Sequence, residues 1–274
     1  EQLEIAVNEA EIMAGRKIDS AYMAITGDHI RCMNTQGAIA LNRNKTNGTN
    51  DNKPISLYDI QRVLELTQGI ALPPDRDILH TIPQEFIVDT LEKIDNPIGL
   101  TGKRLEGHVH LVTASTTAMK NLIESAEELG ININGLVFKP LASAMPALTK
   151  DEIKLGVSII DIGSTTTSIA VYNEGSIRHS AVIPIGSSSI TNDIAVMLRI
   201  SIEKAEEIKI KYASAKSSLS SEKLEFEVPL NEESQMISEN ELSQYVEARM
   251  EEIFQLAHNE IKRAGIDSNL TYGV

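Results

Sequence analysis

The sequence predicts an α/β protein, a mixed sheet with helices laid against it and spread over more than one subdomain. Stretches that alternate apolar and polar residues, such as "SAYMAITG" and "HVHLVTAS", take turns along the chain with stretches of helical period. A length of 274 residues suits one large or two ordinary domains. With 42% hydrophobic residues, 4% aromatics and no Trp, the core must be built from Ile, Leu, Val, Ala and Met.

The elements follow in order. "EQLEIAVNEAEIMAGRK" has apolar residues at Leu3, Ile5, Ala6, Ile12 and Met13 and predicts a helix packed on one side. "SAYMAITGDHIRC" reads as a strand that breaks at Gly27, and "GAIAL" as a second strand. "NRNKTNGTNDNKP" is polar and Asn-rich, a surface loop. Ser56 is placed to cap "LYDIQRVLELT", with Asp59 in its first turn. The prolines between residues 71 and 107 favour short strands and turns. "HVHLVTAS" is a strand, and "TTAMKNLIESAEELG" a helix capped by Thr116 or Thr117 and stopped at Gly130. A short strand, "GLVF", leads to a helix that starts near Pro140.

"LGVSIIDIGSTTTSIAVYNEGSIRHSAVIPIG", residues 155–186, reads as strand–turn–strand–turn–strand, with "NEGS" a strong hairpin turn. Helices follow in "SSSITNDIAVMLRI" and "SIEKAEEIKIKYA", each opening on Ser or Thr caps. One strand is expected around "LEFEV". A long amphipathic helix then sets Leu242, Tyr245, Val246, Met250, Ile253, Leu256, Ala257 and Ile261 along one side and stops at Gly265. No repeat at solenoid periods is visible.

Composition excludes several functions. The net charge is −14 and Lys and Arg form no basic run, which argues against nucleic acid as a partner. Cys32 is the only cysteine, so an internal disulfide and a Cys-based metal site are excluded, and a reducing cytoplasm fits. His108 and His110 share one face of a strand, but no third metal ligand follows nearby. No apolar run approaches the roughly 20 residues of a membrane helix, and no signal peptide is seen.

The turn "DIGSTTT" carries the chemistry. Asp161 ends an apolar strand, and Gly163 with small residues after it can leave backbone N–H groups facing an open space. Such a nest holds phosphate oxygens, while the acid can hold Mg²⁺ directly or through water. The bland alternative is a hydroxyl-rich hairpin that solvates its own backbone.

The stretch "DIGSTTTSIAVYNEGSIRHSAVIPIGSSSITNDIA" resembles the second phosphate motif of the actin-like ATPases, and most nearly that of the FtsA family of bacterial cell-division proteins. "YMAITGDHI", "DILHTIPQEFIVD", "NPIGLTGKRLE", "NLIESAEELGININGLVFKPLASAMPAL" and "AEEIKIKYASA" agree in order, so the resemblance spans nearly the whole chain. It implies an actin-like (ribonuclease H-like) ATPase fold with an FtsA-type inserted subdomain 1C. Residues 1–28 and 110–152 would belong to subdomain 1A and 29–109 to 1C. Residues 153–186 would begin 2A, 187–270 would form 2B, and 271–274 would return to 2A.

The resemblance further implies ATP and Mg²⁺ between 1A and 2A. Asp161 would act on Mg²⁺ and its waters, and the backbone of Gly163, Ser164, Thr165 and Thr166 would cradle phosphates beside Gly186. Glu206 and Lys209 would face the ribose. Ser164 and Thr165 stand where the family has glycines, Ser168 where it has an acid, and Lys139 at a place often acidic or Gln. Non-glycine residues restrict positive φ and bring Cβ atoms near a phosphate, so at most a weak ATPase is expected. The chain opens inside a helical pattern and ends as a strand pattern begins. It therefore reads as part of a longer protein, with the first phosphate loop, the adenosine motif and a membrane-binding C-terminal helix outside it.

The implied role is that of an adaptor at the inner face of the cell membrane, at the division septum. It would bind ATP, assemble into actin-like filaments, meet other division proteins through 1C, and tether FtsZ by the FtsZ C-terminal peptide. Arg249, Lys262 and Arg263 on the last helix are the candidate peptide contacts. The alternatives are a PilM-like pilus-assembly protein that binds a peptide, a scaffold that no longer binds nucleotide, and a sugar- or acetate-kinase-like enzyme. The last would need a catalytic acid beyond Asp161, and none is visible.

Overall fold

A computed structural model describes residues 2–41, 54–230, 233–265 and 270–274. Helix α1 (Gln2–Ala14) forms as its local pattern predicts, but Ile5, Ile12 and Met13 are exposed. The expected packing on one side is therefore not realised: an apolar stripe specifies a helix, not the surface that covers it. Strand β1 (Ser20–Ile25) is followed by β2 (Arg31–Ala40), and the Asn-rich segment after it lies outside the described residues.

Helix α2 (Leu57–Thr67) starts as the sequence predicts, with the Ser56 backbone N–H and hydroxyl donating to Asp59 Oδ2 at 2.9 and 2.7 Å. Strands β3 (Arg76–Val88), β4 (Leu91–Ile94) and β5 (Arg104–Ser115) complete an antiparallel sheet in the order β2-β5-β3-β4. The prolines do not break this region into short strands, because β3 runs 13 residues through Pro83. Pro83 sits at a register shift against β5, and β4 reaches only Phe86 and Val88, so the ladder tolerates its missing N–H. Helix α2 covers one face of this sheet through Val63, which is packed with Ile39, Phe86 and Leu105.

Helix α3 (Thr116–Glu127) is capped by Ser115, one residue before the expected threonines, and Ser115 Oγ accepts from the Ala118 N–H at 3.4 Å. Strand β6 (Asn132–Phe138) pairs in parallel with β1, so the four-stranded sheet is an insertion between two paired neighbours. Helices α4 (Lys139–Ala147) and α5 (Lys150–Leu155) then lead into a three-stranded meander, β7 (Val157–Ile162), β8 (Thr167–Asn173) and β9 (Ser176–Ile183). The β8–β9 turn places Glu174 at φ 51° and Gly175 at φ 83°, as the two-residue "EG" turn requires. On the free edge of β7, the Tyr272 N–H donates to Gly156 O at 3.0 Å and the Ser158 N–H to Gly273 O at 2.9 Å.

Helices α6 (Ser187–Leu198) and α7 (Ile202–Tyr212), the hairpin β10 (Glu225–Leu230) and β11 (Glu233–Ser238), and α8 (Glu239–Arg263) complete the chain. Ser201 and Ser238 cap α7 and α8. The N-cap of α6 is Gly186, not a serine, for a reason that lies in the site below. Helix α8 serves two cores. Leu242 and Val246 join Ile194, Ile208 and Phe226, whereas Ala257 and Ile261 cover Ile169 and Val171 of β8. Each fully buried Ile or Val contributes about 1.5–3 kcal/mol.

The inserted sheet meets β9 through polar side chains. Gln84 Nε2 donates to Ile177 O at 2.7 Å, and Asn34 Nδ2 to Arg178 O at 2.9 Å. The buried His110 is hydrogen-bonded to Asn34 Oδ1 at 2.6 Å and to Ser180 Oγ at 2.7 Å. Burial, with a smaller contribution from nearby His179, pushes the His110 pKa down to about 4. The folded protein thus holds this imidazole neutral, while the unfolded chain takes up a proton near pH 6.5. Stability from this group is complete above about pH 6.5 and is lost as pH falls toward 4, by roughly 3 kcal/mol at about 1.4 kcal/mol per pH unit. Urea unfolding at pH 7 and pH 5 should show about 2 kcal/mol of that loss, and His110→Gln should flatten it; an equally steep pH dependence in the variant would refute the assignment.

Candidate functional site

The turn between β7 and β8 is held from both sides. Within it, the Gly163 N–H donates to Thr166 O at 2.9 Å. Across from it, the first amides of α6 donate to the turn, Ser187 N–H to Gly163 O at 2.9 Å and Ser188 N–H to Ser164 O at 2.8 Å. The Ser188 hydroxyl adds a bond to Ser164 O at 2.7 Å. Helix N-termini leave amides without intrahelical partners, and here main-chain carbonyls take two of them in place of a capping side chain. A Cβ on Gly186 would lie 2.4 Å from Ser164 O and 2.5 Å from Gly163 O, so only glycine lets the two segments meet.

Of the four residues expected to cradle phosphates, Ser164 and Thr165 are exposed, Gly163 is half-buried with its N–H already bonded, and Thr166 is buried. The hydroxyl of Ser168 is also buried and paired with Thr26 Oγ1 at 2.9 Å. Beside the turn opens a cleft of about 550 Å³, lined by Ser164, Ser187, Ser188, Thr191, Asn192, Ile202, Glu203, Glu206 and Lys209. Glu206 and Lys209, some 40 residues from the turn in sequence, therefore share its cleft. They form an ion pair of 2.7 Å, and Thr191 Oγ1 donates to Glu206 Oε2 at 2.5 Å. Hydrogen bonds from Lys209 and Thr191 hold the Glu206 carboxyl below the usual carboxylate range.

Asp161 is engaged at both oxygens. Lys139 Nζ donates to Oδ1 at 2.8 Å and Ser143 Oγ to Oδ2 at 2.6 Å. Burial by itself would raise the Asp161 pKa, but these two bonds and the lysine charge outweigh it and leave the carboxyl below its ordinary value. Placed this way, Asp161 is a poor ligand for a directly coordinated Mg²⁺, because the ion would stand beside the Lys139 ammonium that already pairs with the carboxylate. Ser143 and Thr191 escaped the sequence reading, although each lies four residues beyond a residue of the site, Lys139 or Ser187, on the same helix face.

The three basic candidates on α8 do not form one patch. Arg249 lies in a groove of about 310 Å³ between α6 and α8, lined by Asp193, Val196, Met197, Tyr245, Ala248, Arg249 and Glu252. It pairs with both oxygens of Asp193, Nε at 2.6 Å and Nη2 at 2.9 Å. Lys262 and Arg263 come about 20 Å further along the helix, where Arg263 pairs with Glu260. One peptide would need about six extended residues to reach from Arg249 to them.

Residues 158–270 match the family described as "Cell division protein FtsA", and residues 27–113 match "SHS2 domain inserted in FTSA". The second match takes in the inserted four-stranded sheet and α2. The chain belongs to the FtsA family. It is 38% identical over 276 residues to the cell division protein FtsA of Pseudomonas aeruginosa, an alignment that covers 100% of this chain and 64% of that protein. Against the Bacillus subtilis FtsA it is 36% identical over 263 residues, covering 95% and 58%. The chain thus spans about three-fifths of the length of these relatives.

Among solved structures, the PilM–PilN type IV pilus biogenesis complex superposes with a TM-score of 0.63 at 15% identity, covering 97% of this chain and 64% of that one. At that identity the likeness concerns the fold alone, which is the actin-like ATPase fold with an FtsA-type inserted subdomain.

The close approach at Gly186 is open to test. Gly186→Ala should destabilise the protein by about 1–3 kcal/mol. Gly163→Ala, whose Cβ would stand 3.1 Å from Thr166 O, should cost less. Chemical unfolding of both variants checks the order; a neutral Gly186→Ala would mean the turn and α6 are not held together as described.

Proposed function

We propose that this chain forms part of a cell-division adaptor that binds ATP, assembles into actin-like filaments and tethers FtsZ to the cytoplasmic membrane at the septum. Family membership supports the cellular role. The observation that carries the nucleotide reading is the convergence of the 163–166 turn, the start of α6 and the Glu206–Lys209 pair on one cleft. Small hydroxyl residues line the phosphate end, and the Glu–Lys pair offers polar partners at the other. The role of ATP here is to favour assembly more than turnover. Ser164 and Thr165 add bulk at the turn, and no step is assigned to a metal at Asp161.

In this reading residues 29–109 serve other division proteins, and the FtsZ tail binds the groove between α6 and α8. Exposed Val196 and Met197 supply its apolar wall. Arg249 exchanges Asp193 for a carboxylate of the incoming peptide, a bidentate swap that guanidinium geometry allows. No helix among the described residues is long and apolar enough to cross a membrane. A scaffold without nucleotide is the second reading, favoured by the engaged oxygens of Asp161.

Calorimetric titration of the full-length protein with an FtsZ C-terminal peptide, and separately with ATP, tests both halves. Arg249→Ala should weaken the peptide by about tenfold or more, while Lys262→Ala should leave it nearly unchanged. Absence of peptide binding at any accessible concentration removes the FtsZ role. Absence of ATP binding, with the peptide still bound, leaves the scaffold.

A further inference from the structure

Lys139 stands where the site most needs positive charge. Its Nζ is 2.8 Å from Asp161 Oδ1, and a Cβ on Gly163 would come within 3.3 Å of that nitrogen, so the ammonium lies directly against the turn. Ser143 holds the other oxygen at 2.6 Å, which leaves the carboxylate no oxygen without a donor. An ammonium carries three donors; Lys139 uses one on Asp161 and makes no other hydrogen bond to a described residue. Its side chain is 32% exposed, enough to reach an incoming group without unfolding anything. Next door, Lys209 is committed to Glu206 and Thr191, and Glu203 adds a further acid to the cleft wall. Lys139 does not line that cleft itself but lies against Gly163, next to Ser164 of the cleft wall, so a polyphosphate reaching past Ser164 to the turn meets a cation whose one partner among the described residues is a single carboxylate.

A divalent cation placed on Asp161 would sit within a few ångströms of the Lys139 ammonium, a positive charge already 2.8 Å from the same carboxylate. We propose that Lys139 is the built-in countercharge for the polyphosphate of the bound nucleotide, so that binding in this cleft does not depend on a divalent cation. The proposal rests on the nucleotide reading above and assigns the charge that reading requires. Helix geometry supports it: Lys139 and Ser143 are one turn apart on α4 and grip the two oxygens of the same carboxylate, which holds the ammonium at the mouth of the turn.

The test is calorimetric titration of the full-length protein with ATP, once in Mg²⁺ and once in EDTA, with thermal unfolding of each variant as a control. The native protein should bind ATP with affinities within about threefold of each other in the two buffers, a difference under about 0.7 kcal/mol. Lys139→Gln should lose about tenfold or more in EDTA and recover most of that loss in Mg²⁺. Lys139→Arg should keep metal-independent binding. Asp161→Asn, which frees the ammonium from its carboxylate, should tighten ATP in EDTA several-fold.

Native binding that collapses in EDTA, or an Asp161→Asn variant that loses affinity only in Mg²⁺, overturns the proposal while leaving nucleotide binding intact. Absence of ATP binding in both buffers by native protein and all variants overturns it together with the nucleotide reading.

Discussion

The carbonyls of Gly163 and Ser164 accept the first amides of α6, and Gly186 alone permits the approach that brings them together. This backbone contact ties the tip of the β7–β8 hairpin to the helical layer that follows it. Because α6 is fixed there, Ser187 and Thr191 face the cleft, and Thr191 in turn orients Glu206 and Lys209 of α7. The helix starts on main-chain carbonyls instead of a serine cap, so Ser187 and Ser188 line the cleft, the Ser188 hydroxyl adding its own bond to Ser164 O.

Helix α8 transmits this arrangement. It shares one core with α6, α7 and the β10–β11 hairpin and another with β8, so the groove at Arg249 and the meander that carries Asp161 are attached to one rigid element of 25 residues. Helix α6 contributes to both places, Asp193 to the groove at Arg249 and Ser187 to the turn.

The inserted sheet is held to β9 by Gln84, Asn34 and His110 as well as by apolar contacts that bring Ile82 and Val112 together with Ile177 and Val182. Buried polar contacts of this kind specify one register because a misaligned neighbour would strand a donor or acceptor. They also make the interface sensitive to the protonation of a single imidazole.

Most strands and helices, the "EG" turn, the Ser56 cap and the break at Gly163 were legible in the residues, because period, caps and turn chemistry act over a few positions; helix α5 and strand β11 were not, being short and polar. The family was legible too, through motifs spread along the chain. Tertiary structure alone decided which groups meet. It carried β3 through Pro83, paired Arg249 with Asp193, and put the Lys139 ammonium and the Ser143 hydroxyl on the two oxygens of Asp161. Local rules set what each segment can become, but the partner of a charge or an apolar face is chosen by chain folding over distances that no local pattern encodes.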